Sequence, residues 1–84
     1  MNVKVRLFAG LKDLVGGPEV FVELGENATL RDLELELGRR YPRLEPLLPS
    51  LAFAVEDEYR IRDYVLHDGH EVALIPPISG GTHV

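Results

Sequence analysis

Only one stretch of this chain is long enough, and spaced correctly, to be a helix that buries one side. That narrows the available architectures more than any other feature. Leu30, Leu33, Leu37 and Tyr41 fall on a single stripe at three- and four-residue steps. Thr29 stands before them as a cap. Asp32 follows three positions later, a weaker version of the capping box, which usually carries Glu or Gln there. Pro42 ends the run, because proline cannot continue a helix and pushes Tyr41 away from helical angles. Gly38 costs the helix about 1 kcal/mol relative to alanine, and Leu35 falls off the stripe. A lone helix must lay its apolar stripe on something, and the sequence around it has period two.

Val3, Val5 and Leu7 alternate with Lys4 and Arg6, and Val20, Val22 and Leu24 with Phe21 and Glu23. These are two strands with one apolar face each, close enough in sequence to pair as an antiparallel hairpin. Gly10 to Val15 reads as a short helical loop between them, broken by Gly16-Gly17-Pro18. Leu44 to Pro49 is a proline-bounded loop or single turn. Leu51, Phe53 and Val55 form a third strand, and Glu56-Asp57-Glu58 a charged turn. Ile61 to Leu66 is either a short strand or an irregular crossing. His67-Asp68-Gly69-His70 is a turn. Val72 to Ile75 is the last strand, stopped by Pro76-Pro77, since proline donates nothing to a ladder. This order predicts an α+β domain of two layers, a mixed sheet packed on one main helix. If the first and last strands sit side by side, they are expected to run parallel at its centre.

The chain's 84 residues are enough for one domain and one small core, with no room for a large buried cavity. The absence of cysteine excludes disulfides, thiolate zinc sites and thiol catalysis. No apolar run approaches the 18 residues that a membrane span needs. The alternating charges of Asn2 to Arg6 are unlike a secretory leader, so the expected location is the cytoplasm. Fourteen acidic residues against nine basic ones give a net charge of −5. A nucleic acid is then a poor partner, and a basic surface of another protein a better one.

The last residues are Pro76-Pro77-Ile78-Ser79-Gly80-Gly81-Thr82-His83-Val84. Two prolines stiffen the exit from the sheet, and two glycines remove side-chain bulk. Pro76 to Gly81 would reach roughly 20 Å when extended. Such a thin arm can enter a narrow channel, and Gly80 and Gly81 would let a partner approach the backbone and leave the Gly81 carbonyl carbon open to attack. Residues 1–76 are accordingly expected to be the folded domain and 77–84 a flexible tail.

Taken together, Val3 to Ala9, the Thr29–Pro42 helix and above all the run from Asp68 to Gly81 resemble the small, ubiquitin-like subunit of molybdopterin synthase and the related thiamine sulfur carriers. A bare Gly-Gly says little. In this run, however, turn, strand, Pro-Pro and Gly-Gly stand in register. The resemblance spans residues 1–81 and implies a β-grasp fold whose terminal glycine carboxylate is adenylated with ATP by a separate activating enzyme. The adenylate then becomes a thiocarboxylate, which the large subunit of molybdopterin synthase uses. It therefore implies that Gly81 carries the sulfur, that Gly80 gives access, and that the carrier binds no cofactor and is no enzyme by itself. Two departures stand out. Thr82-His83-Val84 follow Gly81 and keep its carbonyl in an amide, so the expectation includes a processing protease. His70 stands where the resemblance suggests an acidic residue.

Phe8 follows Leu7 and so points away from the Val3/Val5/Leu7 face. Ile75 is expected on that same outer face, giving an apolar patch at the root of the tail. Phe8, Lys12, Ile75, Pro76, Pro77, Ile78 and Ser79 are therefore the candidate partner contacts. His67 and His70, even with Asp68 or Glu71, read as solvated turn residues and not as metal ligands. Arg39, Arg40 and Arg43 suit the negative end of the helix dipole. Neither Ser50 nor Ser79 has a His and an Asp placed to activate it. The alternatives are a carrier serving thiamine or tRNA thiolation, a protein modifier joined through Gly81 to a lysine, and a binding module with a blocked end.

Overall fold

The computed structural model describes residues 1–77. Strand β1 (Asn2–Leu7) is followed by the short helix α1 (Leu11–Val15), β2 (Glu19–Glu23) and the main helix α2 (Leu30–Arg40). A 3-10 segment (Glu45–Ser50) leads into β3 (Ala52–Val55), β4 (Glu58–Arg60) and β5 (Glu71–Ile75). The five strands form one sheet in the order β2-β1-β5-β3-β4. β1 and β2 are antiparallel, as expected of the hairpin, and β1 and β5 run parallel in the middle, with Val5 opposite Val72 and Leu7 opposite Leu74.

One sheet face is apolar at alternate positions, and α2 lies over it. Leu30, Leu33 and Leu37 are completely buried, and each leucine so buried contributes roughly 1.5–3 kcal/mol. The capping box forms with aspartate as its second member. The Asp32 N–H donates to Thr29 Oγ1 at 3.3 Å, and the Thr29 N–H donates to Asp32 Oδ2 at 2.8 Å. Tyr41 closes the helix by donating its N–H to the Leu37 carbonyl at 2.9 Å. Arg39 pairs with Glu36, and Arg40 donates to the Phe21 carbonyl. Leu35, off the stripe, is exposed.

Gly38 has a packing role that its helix cost conceals. A Cβ there would stand 2.9 Å from Glu45 Cγ and 3.4 Å from Leu48 Cδ1. The missing side chain lets the 3-10 segment close onto α2 and bury Leu44 and Leu48. Residues 44–49, expected as a loop or single turn, are thus mostly a 3-10 segment.

The fourth strand lies earlier than the 61–66 stretch considered for it. Glu58–Arg60 pairs with β3, while 61–66 is the irregular crossing, tied to the start of α2 by the Thr29–Val65 bridge and by backbone bonds from the Leu30 and Arg31 N–H groups to the Tyr64 and Arg62 carbonyls. Three exposed residues on an edge carry no apolar alternation, so the pattern does not mark them. The turn before them falls within the expected charged run, at Glu56 and Asp57, with Glu58 already in the strand. Glu56 and Asp57 both have positive φ, +48° and +71°, as a two-residue hairpin turn requires. The usual residues there are Asn-Gly or Asp-Gly. Arg62 fixes the crossing: it donates to Glu34 Oε1 at 3.0 Å, to the Leu48 carbonyl at 2.9 Å and to the Leu51 carbonyl at 3.2 Å. Its guanidinium also lies 4.3 Å from the Phe53 ring centre.

The turn at 67–70 ties the start of β1 to β5. Asn2 donates its N–H to Asp68 Oδ1 at 2.7 Å, and Gly69, at φ +85°, donates to the Asn2 carbonyl at 2.8 Å. Within it the His67 N–H donates to His70 Nδ1 at 3.0 Å.

Candidate interaction face at the root of the C-terminal tail

Among the described residues, no helix lies on the sheet face opposite α2. Its side chains stand in rows set by the strand register. In one row Glu19, Arg6, Ala73, Ala54 and Tyr59 are successive neighbours across the five strands. The row toward the tail holds Ile75 opposite Ala52, and the parallel register carries Phe8 beside Ile75. The row away from the tail holds Phe21, Lys4 and Glu71.

This arrangement brings together the expected residues near the end of β5. Phe8 is 40% exposed, Ile75 and Pro76 are half-buried, and Pro77 is exposed. Neither Phe8 nor Ile75 is fully buried. Lys12 is exposed on α1, and no side-chain hydrogen bond or ion pair among the described residues ties it to the patch. Ile78, Ser79, Gly80 and Gly81, and the three residues after them, lie outside the described residues.

Sequence reasoning missed three members of this face. Tyr59 is 70% exposed and Ile61 73%, and with Ala52 they line a groove at the β4 edge that continues the face away from Phe8. No apolar alternation within β4 marks them, because the strand is three exposed residues and Ile61 lies just beyond it.

Polar groups surround the apolar part. Arg6 donates to Glu71 Oε2 at 3.0 Å while its guanidinium lies 5.3 Å from the Phe8 ring centre. Lys4 sits 3.8 Å from Glu19. Glu56 Oε2 accepts the Glu71 N–H at 2.7 Å, which closes the end of the β3–β5 ladder. These pairs are exposed and contribute little to stability, typically 1 kcal/mol or less each. Among the described residues, no group of His, Cys, Asp and Glu is set to hold a metal ion, and no helix is long and apolar enough to cross a membrane. The face offers area for docking, with no activated nucleophile on it.

The model of the ThiS family matches residues 5–81. The chain belongs to the ThiS family. This ThiS-family chain is 40% identical over 83 residues to the molybdopterin synthase sulfur carrier subunit of Chlamydomonas reinhardtii, covering 96% of this chain and 100% of that one. A Pyrococcus furiosus structure assigned as molybdopterin converting factor subunit 1 superposes with a TM-score of 0.85 at 31% identity, covering 93% of this chain and 99% of the other. The H. volcanii small archaeal modifier protein 1 gives 0.84 at 26% identity, with 92% and 98% covered. In a complex of subunits 1 and 2 of the Helicobacter pylori molybdopterin-converting factor, the matched chain gives 0.72 at 29% identity, with 96% and 100% covered. The expected ubiquitin-like β-grasp is therefore the fold of this ThiS-family chain.

Proposed function

We propose that this chain is the sulfur carrier of a molybdopterin synthase and that it works from the carboxylate of Gly81. The observation that carries this reading is its 40% identity with a sulfur carrier subunit along that protein's entire length. The fold supports it: a central strand delivers the chain at Pro76-Pro77 beside an uncovered face containing Phe8, Ile75, Ala52 and Tyr59.

The chemistry explains why the carrier needs no catalytic side chain. Water first cleaves the Gly81–Thr82 bond in a protease, leaving a Gly81 carboxylate. A carboxylate is a poor electrophile. In the activating enzyme its oxygen attacks the α-phosphorus of ATP, pyrophosphate leaves, and a mixed anhydride with AMP forms. A sulfur nucleophile then attacks the Gly81 carbonyl carbon, and AMP departs with the electron pair of the broken C–O bond. The thiocarboxylate that results passes its sulfur on in the large subunit. The H. pylori complex of two subunits supports a partner of that kind, and the exposed face and the tail root are the contacts we assign to it. A cytoplasmic carrier, with ATP at hand for its activation, suits this reading.

A second reading, a protein modifier joined through Gly81 to lysines, is favoured by the likeness to the archaeal modifier protein. Intact-mass measurement of the chain from its own cell separates the readings. Both require a species ending at Gly81; one heavier by the exchange of oxygen for sulfur supports the carrier, whereas chains joined to other proteins support the modifier. A chain engineered to end at Gly81 should release pyrophosphate with its activating enzyme and ATP. If every chain in the cell still extends past Gly81, both readings fail.

A further inference from the structure

Near the middle of the outer face is a shallow cavity of about 140 Å³, room for about four or five water molecules at ~30 Å³ each. Its floor is the cross-strand pair Ala54 and Ala73, small enough to leave the space open. Its walls are Phe8, Arg6, Glu56, Asp57 and Glu71. Three carboxylates against one guanidinium leave the walls net negative, and Arg6 is already engaged by Glu71. Asp57, held at the rim by the positive-φ turn, makes no ion pair among the described residues.

We propose that this cavity receives an arginine of the partner protein that docks on the face. Charge complementarity selects a cation, and the alanine floor admits a long side chain. Arg6 already lies over Phe8 and holds Glu71, and Glu56 Oε2 accepts the Glu71 N–H, so among the described residues Asp57 and the other oxygen of Glu56 are the acceptors left open. The edge of a guanidinium donates to two such acceptors in a fixed fork, which an ammonium does not match. The arginine supplies specificity and register on a face whose apolar part supplies area. This inference rests on the carrier reading, in which the partner is the large subunit.

The test measures the affinity of the chain ending at Gly81 for the large subunit of the same organism at low and moderate salt. Glu71→Gln and Asp57→Lys are compared with Phe8→Asp, and thermal unfolding confirms that each variant folds. Asp57→Lys should weaken binding about tenfold, or ~1.4 kcal/mol, and Glu71→Gln severalfold. Both should flatten the salt dependence, and reversing one arginine of the partner to glutamate should restore binding to Asp57→Lys. If both charge variants bind as the parent does while Phe8→Asp does not, the arginine site is wrong and the docking face stands. If Phe8→Asp also binds unchanged, the docking reading itself has failed.

Discussion

On the α2 side of the sheet, Val3, Val5, Val22, Phe53, Val72 and Leu74 are at most 1% exposed. On the other side, Phe8, Phe21 and Tyr59 are 40%, 61% and 70% exposed. Both sets belong to one sheet and stand on its opposite faces, yet they live under different rules. The inner set is closed by α2 and the 3-10 segment, so its side chains are chosen for volume. The outer set mixes large apolar residues, small alanines and paired charges, a combination that packs poorly by itself and suits a surface that meets another protein.

Volume changes should therefore be costly inside and cheap outside. Leu74→Ala is expected to lower the unfolding free energy by about 2–5 kcal/mol, as cavity-forming core substitutions do. Ala73→Ser, one residue away on the outer face, should change it by no more than about 0.5 kcal/mol. Urea unfolding of the two variants breaks the comparison if the costs are similar. Next in size is Thr29→Ala, which removes the hydroxyl that accepts the Asp32 N–H. The expected loss is about 1 kcal/mol, and it should appear as a lower midpoint with an unchanged denaturant slope. Phe8→Asp sharpens the contrast from the other side. It removes an exposed ring and its stacking with Arg6, costing about 0.5–1 kcal/mol of stability, while binding to the large subunit is lost.

Most of the inner face could be read from the sequence because burial writes itself as period. The β1–β2 hairpin and the α2 stripe follow from apolar spacing, and the parallel direction of β1 and β5 follows only once the two are set side by side. What escaped detection had no apolar signal to give. Strand β4 is three exposed residues, so the charged run Glu56-Asp57-Glu58 announces the turn but not the strand that Glu58 opens, and Gly38 looks like a defect until the 3-10 segment is seen against it. On the outer face, Phe8 and Ile75 were legible from strand parity. Tyr59, Ile61 and the Ala54–Ala73 floor depend on the order of strands in the sheet, which no local pattern specifies.

The smallest expected effect lies on neither sheet face, and it separates charge from burial as the source of stability. Glu36 accepts two hydrogen bonds from Arg39, at 3.1 and 2.6 Å. These bonds, then the charges of Arg39 and Arg40, hold its carboxyl below the ordinary 4.5, with partial burial opposing them. A carboxyl whose folded value lies below its unfolded one stabilises the fold above the unfolded value, and that contribution is lost as pH falls through the folded one. Glu36→Gln should thus be slightly less stable than the parent at pH 7, with the difference vanishing in acid and shrinking in high salt. Urea midpoints at pH 7 and pH 3 measure it. A difference that persisted at pH 3 would mean that the Glu36 side chain acts through packing on the helix and not through its charge. Leu74→Ala provides the control, since its loss comes from burial and should be nearly the same at both values.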